Sequence, residues 1–502
     1  MIGAERNLRV MSAVQGTATQ KVIFPLAGEA GTQRRSTSAF GRSVVAAALA
    51  GVDSVGAAAA ARETAWRSGY LAHFVRLIEA GLGGPDAAVT IARQGADALT
   101  RGMRWVEHGQ EVALGEAPTL PAPAHETVGV VGSSQPVTRL ELPVRGELLC
   151  GDRLTAQLAA WVSNGVVEPS VATSVEVVAA NPEWLRLPGR TLVALGAGSE
   201  VGPASVFLEW GATVAGVDLP RPDIWQRVLA RTTEGAGTLL APARPGDAPL
   251  DERAGIDLLA EMPALAAWIS ALDGPLVLGN YLYADGGLNV CVSAASDAVA
   301  SRVREQHPDL VLAYLATPTD VFAVPGEAVA ASVAAYDGRS RRSKVPGRGL
   351  RTLSGGRLLR RAYLPGADPG LCDALVPQQG PNYALGKRLH RWRSVVEAAE
   401  GRPVSMNIAP PTRTRSVVKN RALAAAYAGA HRFGIEVFEP ATTRVLMAAL
   451  LVHDLYAGRP DVQHPWQAEA HQACHGGLWR AAFAPRSALG LAALLGYGAS
   501  RP

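Results

Sequence analysis

Lysine is nearly absent from this chain of 502 residues: Lys21, Lys344, Lys387 and Lys419 are the four it has, and arginine supplies the rest of the positive charge. A lysine that falls in a catalytic spacing therefore stands out. Cysteine is equally scarce, and Cys150, Cys291, Cys372 and Cys474 lie far apart with no CxxC pair, so neither a disulfide framework nor a cysteine-type zinc knuckle is indicated. The formal net charge is only +4, which gives no overall field to attract nucleic acid, and none is expected as a partner. Long apolar runs are missing too. The stretches 43–61 and 445–452 are interrupted by Asp53 or too short for the roughly 20 residues of a bilayer span, so no transmembrane segment is expected. The amino terminus carries Glu5 and Arg6 where a secretory signal needs an unbroken apolar core, and the expected location is a reducing cytoplasm.

What is present is apolar residue, 48% of the chain, enough for packed globular cores. Residues 43–112 are alanine-rich with apolar positions at helical spacing, and the proline, glycine and serine of 113–137 then suggest a linker or irregular crossing segment, so 1–137 reads as a mainly helical region. From Thr191 onward, short apolar runs alternate with helical patterns. TLVALGAG, ATVAGVDLP, GTLLAPA, PLVLGNYLYA, LVLAYLATP and VSMNIAPP read as six successive strands, which is the order of an α/β doubly wound parallel sheet of the Rossmann type. That domain is assigned 138–435, with its core from about 185. Residues 436–502 read as a helical carboxy-terminal extension.

Between the first strand and the helical stretch PASVFLEWG lie Gly196, Gly198 and Gly202. A backbone that must turn tightly and approach a pyrophosphate has no room for a Cβ, and a helix that follows points free N–H groups at the phosphates. Asp218 closes the second strand 22 positions after Gly196, where a carboxylate accepts hydrogen bonds from ribose hydroxyls; it would also repel a 2′-phosphate. NAD is expected, with NADP left open by Arg221 nearby.

GPNYALGKRLHRW holds Tyr383 and Lys387 four residues apart, on one face of a predicted helix. A free tyrosine has a pKa of about 10, and a neighbouring ammonium is expected to lower it into a range useful for acid–base work. In order along the chain, the glycine turn, LNVCVSAASDAVASRV, the YxxxK pair and GRPVSMNIAPPTRT together resemble the short-chain dehydrogenase/reductase family, over about half the chain. The resemblance implies further roles. Asn280 and Gly286 stand in for the family's NNAG segment, Asn289 for its proton-relay asparagine, and Thr317, or else Thr319, for its carbonyl-polarising serine. Asn407 and Pro410 match the strand and loop after the catalytic helix, where Thr412 or Thr414 would meet the nicotinamide end, and Lys387 would hold the nicotinamide ribose. Two departures are plain: Glu200 replaces the family's middle glycine, and Pro411 stands where a glycine is usual.

Some 66 residues separate Thr317 from Tyr383 where the family has about a dozen, which implies an insertion over about 321–379 and leaves Ser354 as another candidate hydroxyl. Residues 338–361 in it carry nine basic side chains and no acidic one, read either as a solvated loop or as an anion clamp at the active-site mouth. His464, His471, Cys474 and His475 cluster near the end without a clear third ligand spacing, and no metal is expected. The resemblance implies an oxidoreductase that transfers hydride between NAD(P) and the carbonyl or alcohol carbon of a small molecule, and the clamp reading of 338–361 adds a coenzyme A or carrier-protein thioester as an option. Enoyl reduction on the same fold and a non-catalytic nucleotide-binding scaffold remain as alternatives, and a homo-oligomer is compatible with either.

Overall fold

The strands of the core are continuous runs of apolar residue buried on both faces, the mark of a parallel sheet covered by helices. In the computed structural model, which describes residues 21–28 and 32–498, they are β2 (Thr191–Leu195), β3 (Thr213–Val217), β4 (Thr238–Ala243), β5 (Leu276–Asn280), β6 (Val311–Ala316) and β7 (Val404–Ile408). Glu5 and Arg6 lie outside the described residues. A seventh strand, β1 (Glu126–Val131), completes the sheet in the order β7-β6-β5-β2-β3-β4-β1, with β1 antiparallel on the edge. This is an α/β, doubly wound, Rossmann-like sheet. The chain reverses direction across the sheet between β2 and β5, and there Leu195 lies level with Val217 on one side and Asn280 on the other. Such a switch point is where open α/β sheets form their crevice.

β1 falls inside the stretch read from sequence as a linker. Its residues alternate between half-buried and exposed, and half a polar strand flanked by proline and serine carries no local signal.

Helices cover both faces. On one lie α5 (Ala204–Trp210), α6 (Pro222–Glu234) and α14 (Pro440–Tyr456); on the other lie α7 (Leu258–Ser270), α8 (Gly287–Gln306) and α11 (Gly380–Ala399). The helices read from sequence before residue 112 are α1 (Thr37–Ala50), α2 (Ser54–Arg62), α3 (Trp66–Gly81) and α4 (Pro85–Gly102). Their apolar residues share one core with the second face of the sheet. A Cβ on Gly95 of α4 would lie 2.6 Å from the Trp392 ring of α11, so the two helices meet closely, and Thr100 donates to Asp297 of α8 at 2.8 Å. The amino-terminal helices thereby brace α11 from behind.

The insertion is an excursion closed at its base by an antiparallel hairpin of Val321–Val324 with Gly370–Asp373. It holds α9 (Gly326–Asp337) and α10 (Arg341–Leu353). After β7 come α12 (Arg415–Lys419), α13 (Arg421–Gly429), α14 and finally α15 (Pro485–Gly496). Among the described residues no helix is long and apolar enough to cross a membrane.

Candidate active site

The carboxyl ends of β2, β3, β5, β6 and β7 open on one cleft of about 910 Å³, within the range of ~300–1,000 Å³ usual for ligand and cofactor sites. Its floor at the switch point is the glycine turn. Gly196 adopts φ +89°, the left-handed region that favours glycine, and a Cβ there would lie 3.1 Å from the Tyr281 carbonyl oxygen. A Cβ on Gly202 would come within 2.9 Å of Tyr281 Cβ. The glycines thus let the turn close on the segment after β5. The backbone N–H of Gly198 donates to Asp218 Oδ2 at 2.9 Å and that of Leu219 to Oδ1 at 2.8 Å, which fixes the carboxylate against the turn. Burial pushes the Asp218 carboxyl above the usual range in spite of those two bonds. Arg221 and Arg227 both pair with Asp223, and Arg227 lines the cleft beside Asp218.

Glu200 does not face this turn unpartnered. Its Oε2 accepts the backbone N–H of Arg415 at 2.9 Å, and Arg444 donates to its main-chain oxygen at 3.1 Å. The carboxylate therefore bridges the glycine turn to the start of α12 across the cleft.

α11 presents Tyr383 and Lys387 to the same cleft. Thr317, one residue past β6, lies beside the Tyr383 phenol in the cleft. The Thr317 hydroxyl also lies 2.8 Å from that of Thr319, which donates to Gln379 Oε1 at 2.9 Å. The hairpin at the base of the insertion brings Thr317 to Tyr383 in spite of a separation of 66 positions. Ser354 instead closes the turn after α10, donating to the Arg351 carbonyl and accepting from Leu358 N–H, away from the cleft.

The loop carrying Thr317 and Thr319 is anchored by charge. Asp320, 1% exposed, accepts from Arg388 at 2.5 Å and from Arg391 at 2.7 Å, both on α11, and Arg391 also pairs with Glu469. Burial alone would raise the Asp320 carboxyl, and the two guanidinium groups overcome it and hold it low.

The protonation of the pair differs from the expectation. Burial pushes Tyr383 above its ordinary value, only the bond from Thr317 opposes this, and the Asp320 charge adds to it. Lys387 donates instead to the Leu315 carbonyl at 3.3 Å, and burial draws its ammonium down to about 8. Tyr383 therefore stays a neutral phenol near neutrality, and desolvation rather than lysine sets the direction of its shift.

The other expected residues divide into two groups. Asn280 lines the cleft, yet its amide is engaged by Ser296 at 2.6 Å, His390 at 3.2 Å and the Leu282 N–H at 3.3 Å. Thr412 bonds the Pro410 carbonyl and Thr443, and Thr414 caps α12 while touching Ser416; both line the cleft. Asn289 sits behind α11, where a Cβ on Gly386 would lie 2.4 Å from its Nδ2, and that buried Nδ2 has no partner. Asn407 is not in the cleft; it binds Ser405 and Asp454 under the sheet.

Among the described side chains of residues 338–361, read as a solvated loop or an anion clamp, none lines the cleft. Arg339 stacks on Tyr336 and Phe483, Arg361 pairs with Asp337, and the Leu359 N–H donates to the Ser487 carbonyl; the side chains of Arg341 and Arg342 lie outside the described ones. The histidine cluster is spread among separate tasks. His464 caps a short helix, His475 pairs with buried Glu168 at 2.9 Å, and among the described residues no group of three or more possible ligands gathers. Sequence reasoning missed Tyr283, whose exposed ring sits edge-on to Tyr383 at 6.1 Å, and also Gln379 and Tyr427. Nothing local in GNYLYADG marks Tyr283 apart from its place after β5.

The fold and cleft define a Rossmann-like α/β protein with a switch-point site. No protein-family model and no curated protein matches the chain. Among solved structures, an A-type ketoreductase from a modular polyketide synthase is similar at 14% identity with a TM-score of 0.28, over 55% of this chain and 51% of the other. The match spans about half of that structure, and the fold class rests on the sheet topology rather than on this likeness.

Proposed function

We propose that the protein is a nicotinamide-dependent oxidoreductase acting on a carbonyl or alcohol carbon of a small molecule, with Tyr383 as the acid–base group. The observation that carries the reading is the Tyr383–Thr317 hydroxyl pair, with Lys387 one helical turn on, in the cleft that also holds the glycine turn. A turn with no room for Cβ atoms and a carboxylate fixed beside it suit a dinucleotide: Gly196, Gly198 and Gly202 would lie along the pyrophosphate and Asp218 would take the ribose hydroxyls. When bound, the cofactor supplies or accepts the hydride.

The chain's own residues then manage the proton. Held as a neutral phenol, Tyr383 donates its proton to the carbonyl oxygen in the reducing direction, and Thr317 would give that oxygen a second hydrogen bond by turning its single O–H away from Thr319. Lys387 is mostly an ammonium below about pH 8 and stabilises the phenolate that forms. The free Nδ2 of Asn289 would order a relay water behind α11. NAD(H) is the proposed cofactor, because Asp218 opposes a 2′-phosphate and Arg227 is already paired with Asp223. Glu200, which replaces the family's middle glycine, is engaged by the Arg415 backbone N–H and so is not an unpartnered charge against the pyrophosphate. Calorimetric titration with NAD(H) and NADP(H), followed by a screen of ketones and secondary alcohols, tests the proposal. Failure to bind either nucleotide would overturn it.

A further inference from the structure

A second chamber adjoins the cleft, and the packing of the carboxy-terminal helices explains it. α13 and α15 cross where each carries a glycine: a Cβ on Gly429 would fall 2.0 Å from the Ala492 carbonyl oxygen, and one on Gly496 would fall 2.0 Å from that of Ala425. Backbones that touch in this way cannot slide closer or repack. Beside the crossing, small side chains, Ala426, Ala430 and Ala488 among them, leave a gap of about 80 Å³ that Phe433 and Leu489 help to close.

The gap lies next to the reacting groups. Pro411 and Tyr427 line both the chamber and the cleft, and Thr319 at its inner end is bonded to Thr317. Its polar edges are already satisfied. The Thr319 hydroxyl is directed to Gln379, and Arg486, the charged side chain on the wall, is paired with Asp373 at 2.6 Å.

We propose that this chamber receives an unbranched aliphatic tail of the substrate, attached to the carbon that reacts at Tyr383 and Thr317; the inference rests on the oxidoreductase reading. A mostly apolar lining whose few polar groups are already paired favours methylene groups, whereas a hydroxyl or charge would lose hydration there with little in return. Capacity follows from volume. A gap of about 80 Å³ has room for a short chain only. The substrate class is then a short aliphatic ketone or secondary alcohol, and sugars and compounds charged on that side are excluded.

The test is a homologous series, 2-butanone to 2-octanone, with reduced nicotinamide cofactor. The specificity constant rises by about fourfold per added methylene over the first members of the series and then levels off. Ala488→Leu fills the chamber and removes those increments, while Phe433→Ala enlarges it and moves the plateau to longer chains. In parallel, binding of 2-butanol to 2-octanol is measured by calorimetry on the whole chain, which needs no turnover. Turnover with a flat chain-length response, or increments that survive in Ala488→Leu with the plateau unmoved in Phe433→Ala, would overturn the chamber and leave the oxidoreductase reading standing. Chain-length-dependent alkanol binding without nicotinamide binding would sustain the chamber and overturn that reading.

Discussion

Replacing Asp320 by asparagine should damage both the fold and the site, and the geometry sets the size of the effect. Arg388 is 1% exposed, its carboxylate partner is Asp320, and burial already draws it down to about 10. Arg391 would keep Glu469, whereas Arg388 would be left as a buried charge facing a neutral amide. Breaking one side of a buried pair costs ~3–5 kcal/mol. An unfolding entropy of ~2.1 cal/mol/K per residue gives about 1 kcal/mol/K for this chain, so the melting temperature should fall by about 3–5 °C. Because the carboxyl is held low in the fold, its contribution is present above the unfolded value of about 3.9 and is lost as pH falls through the folded one. The substitution should therefore flatten the acid limb of the stability curve. Turnover should fall as well, since the loop that sets Thr317 against Tyr383 loses its anchor. Differential scanning calorimetry between pH 3 and 7 reads the first effect and steady-state kinetics the second. A melting temperature within 1 °C of the parent at pH 7, with unchanged turnover, would refute the reasoning.

Three further outcomes follow from the site. Thr317→Val should cost ~10²–10³ in kcat, the scale of one transition-state donor, and Thr317→Ser should keep most of the rate; equal losses in both would remove the hydroxyl from the mechanism. Lys387 should titrate near 8, so activity that depends on its ammonium declines as pH rises through about 8; a pH–rate profile of Lys387→Met that keeps this limb would assign it elsewhere. Asp218→Asn should weaken NAD(H) more than NADP(H) in a calorimetric titration, and the same loss for both would show that the carboxylate does not read the ribose.

Much of the fold was legible because β2 to β7 are buried on both faces and so appear as apolar runs that need no partner to be seen. β1 was not, since Thr127 and Gly129 mark no strand until β4 lies beside them. The Tyr383 and Lys387 pair was legible from helical spacing alone. Its protonation was not, because Tyr383 and Lys387 are shifted mainly by desolvation, which depends on the packing of α11 rather than on spacing. Thr317 could be named only by its distance from β6, and its approach to Tyr383 depends on a hairpin pairing Val321 with Asp373 across the insertion. For the basic run in 338–361 the sequence left a loop and a clamp both open: topology delivers the insertion to the carboxyl edge of the sheet, while the stacking of Arg339 on Phe483, which sequence does not show, ties its start to the carboxy-terminal segment.

The most direct measurement is Tyr383→Phe, followed by calorimetry with NADH and by turnover of a ketone that the parent reduces. The phenol that lies beside Thr317 is removed and the ring that packs edge-on to Tyr283 is kept. The account predicts cofactor affinity within about twofold of the parent and a turnover lower by at least ~10²-fold, the low end of what a positioned proton donor contributes. Parent-like turnover in Tyr383→Phe would contradict it.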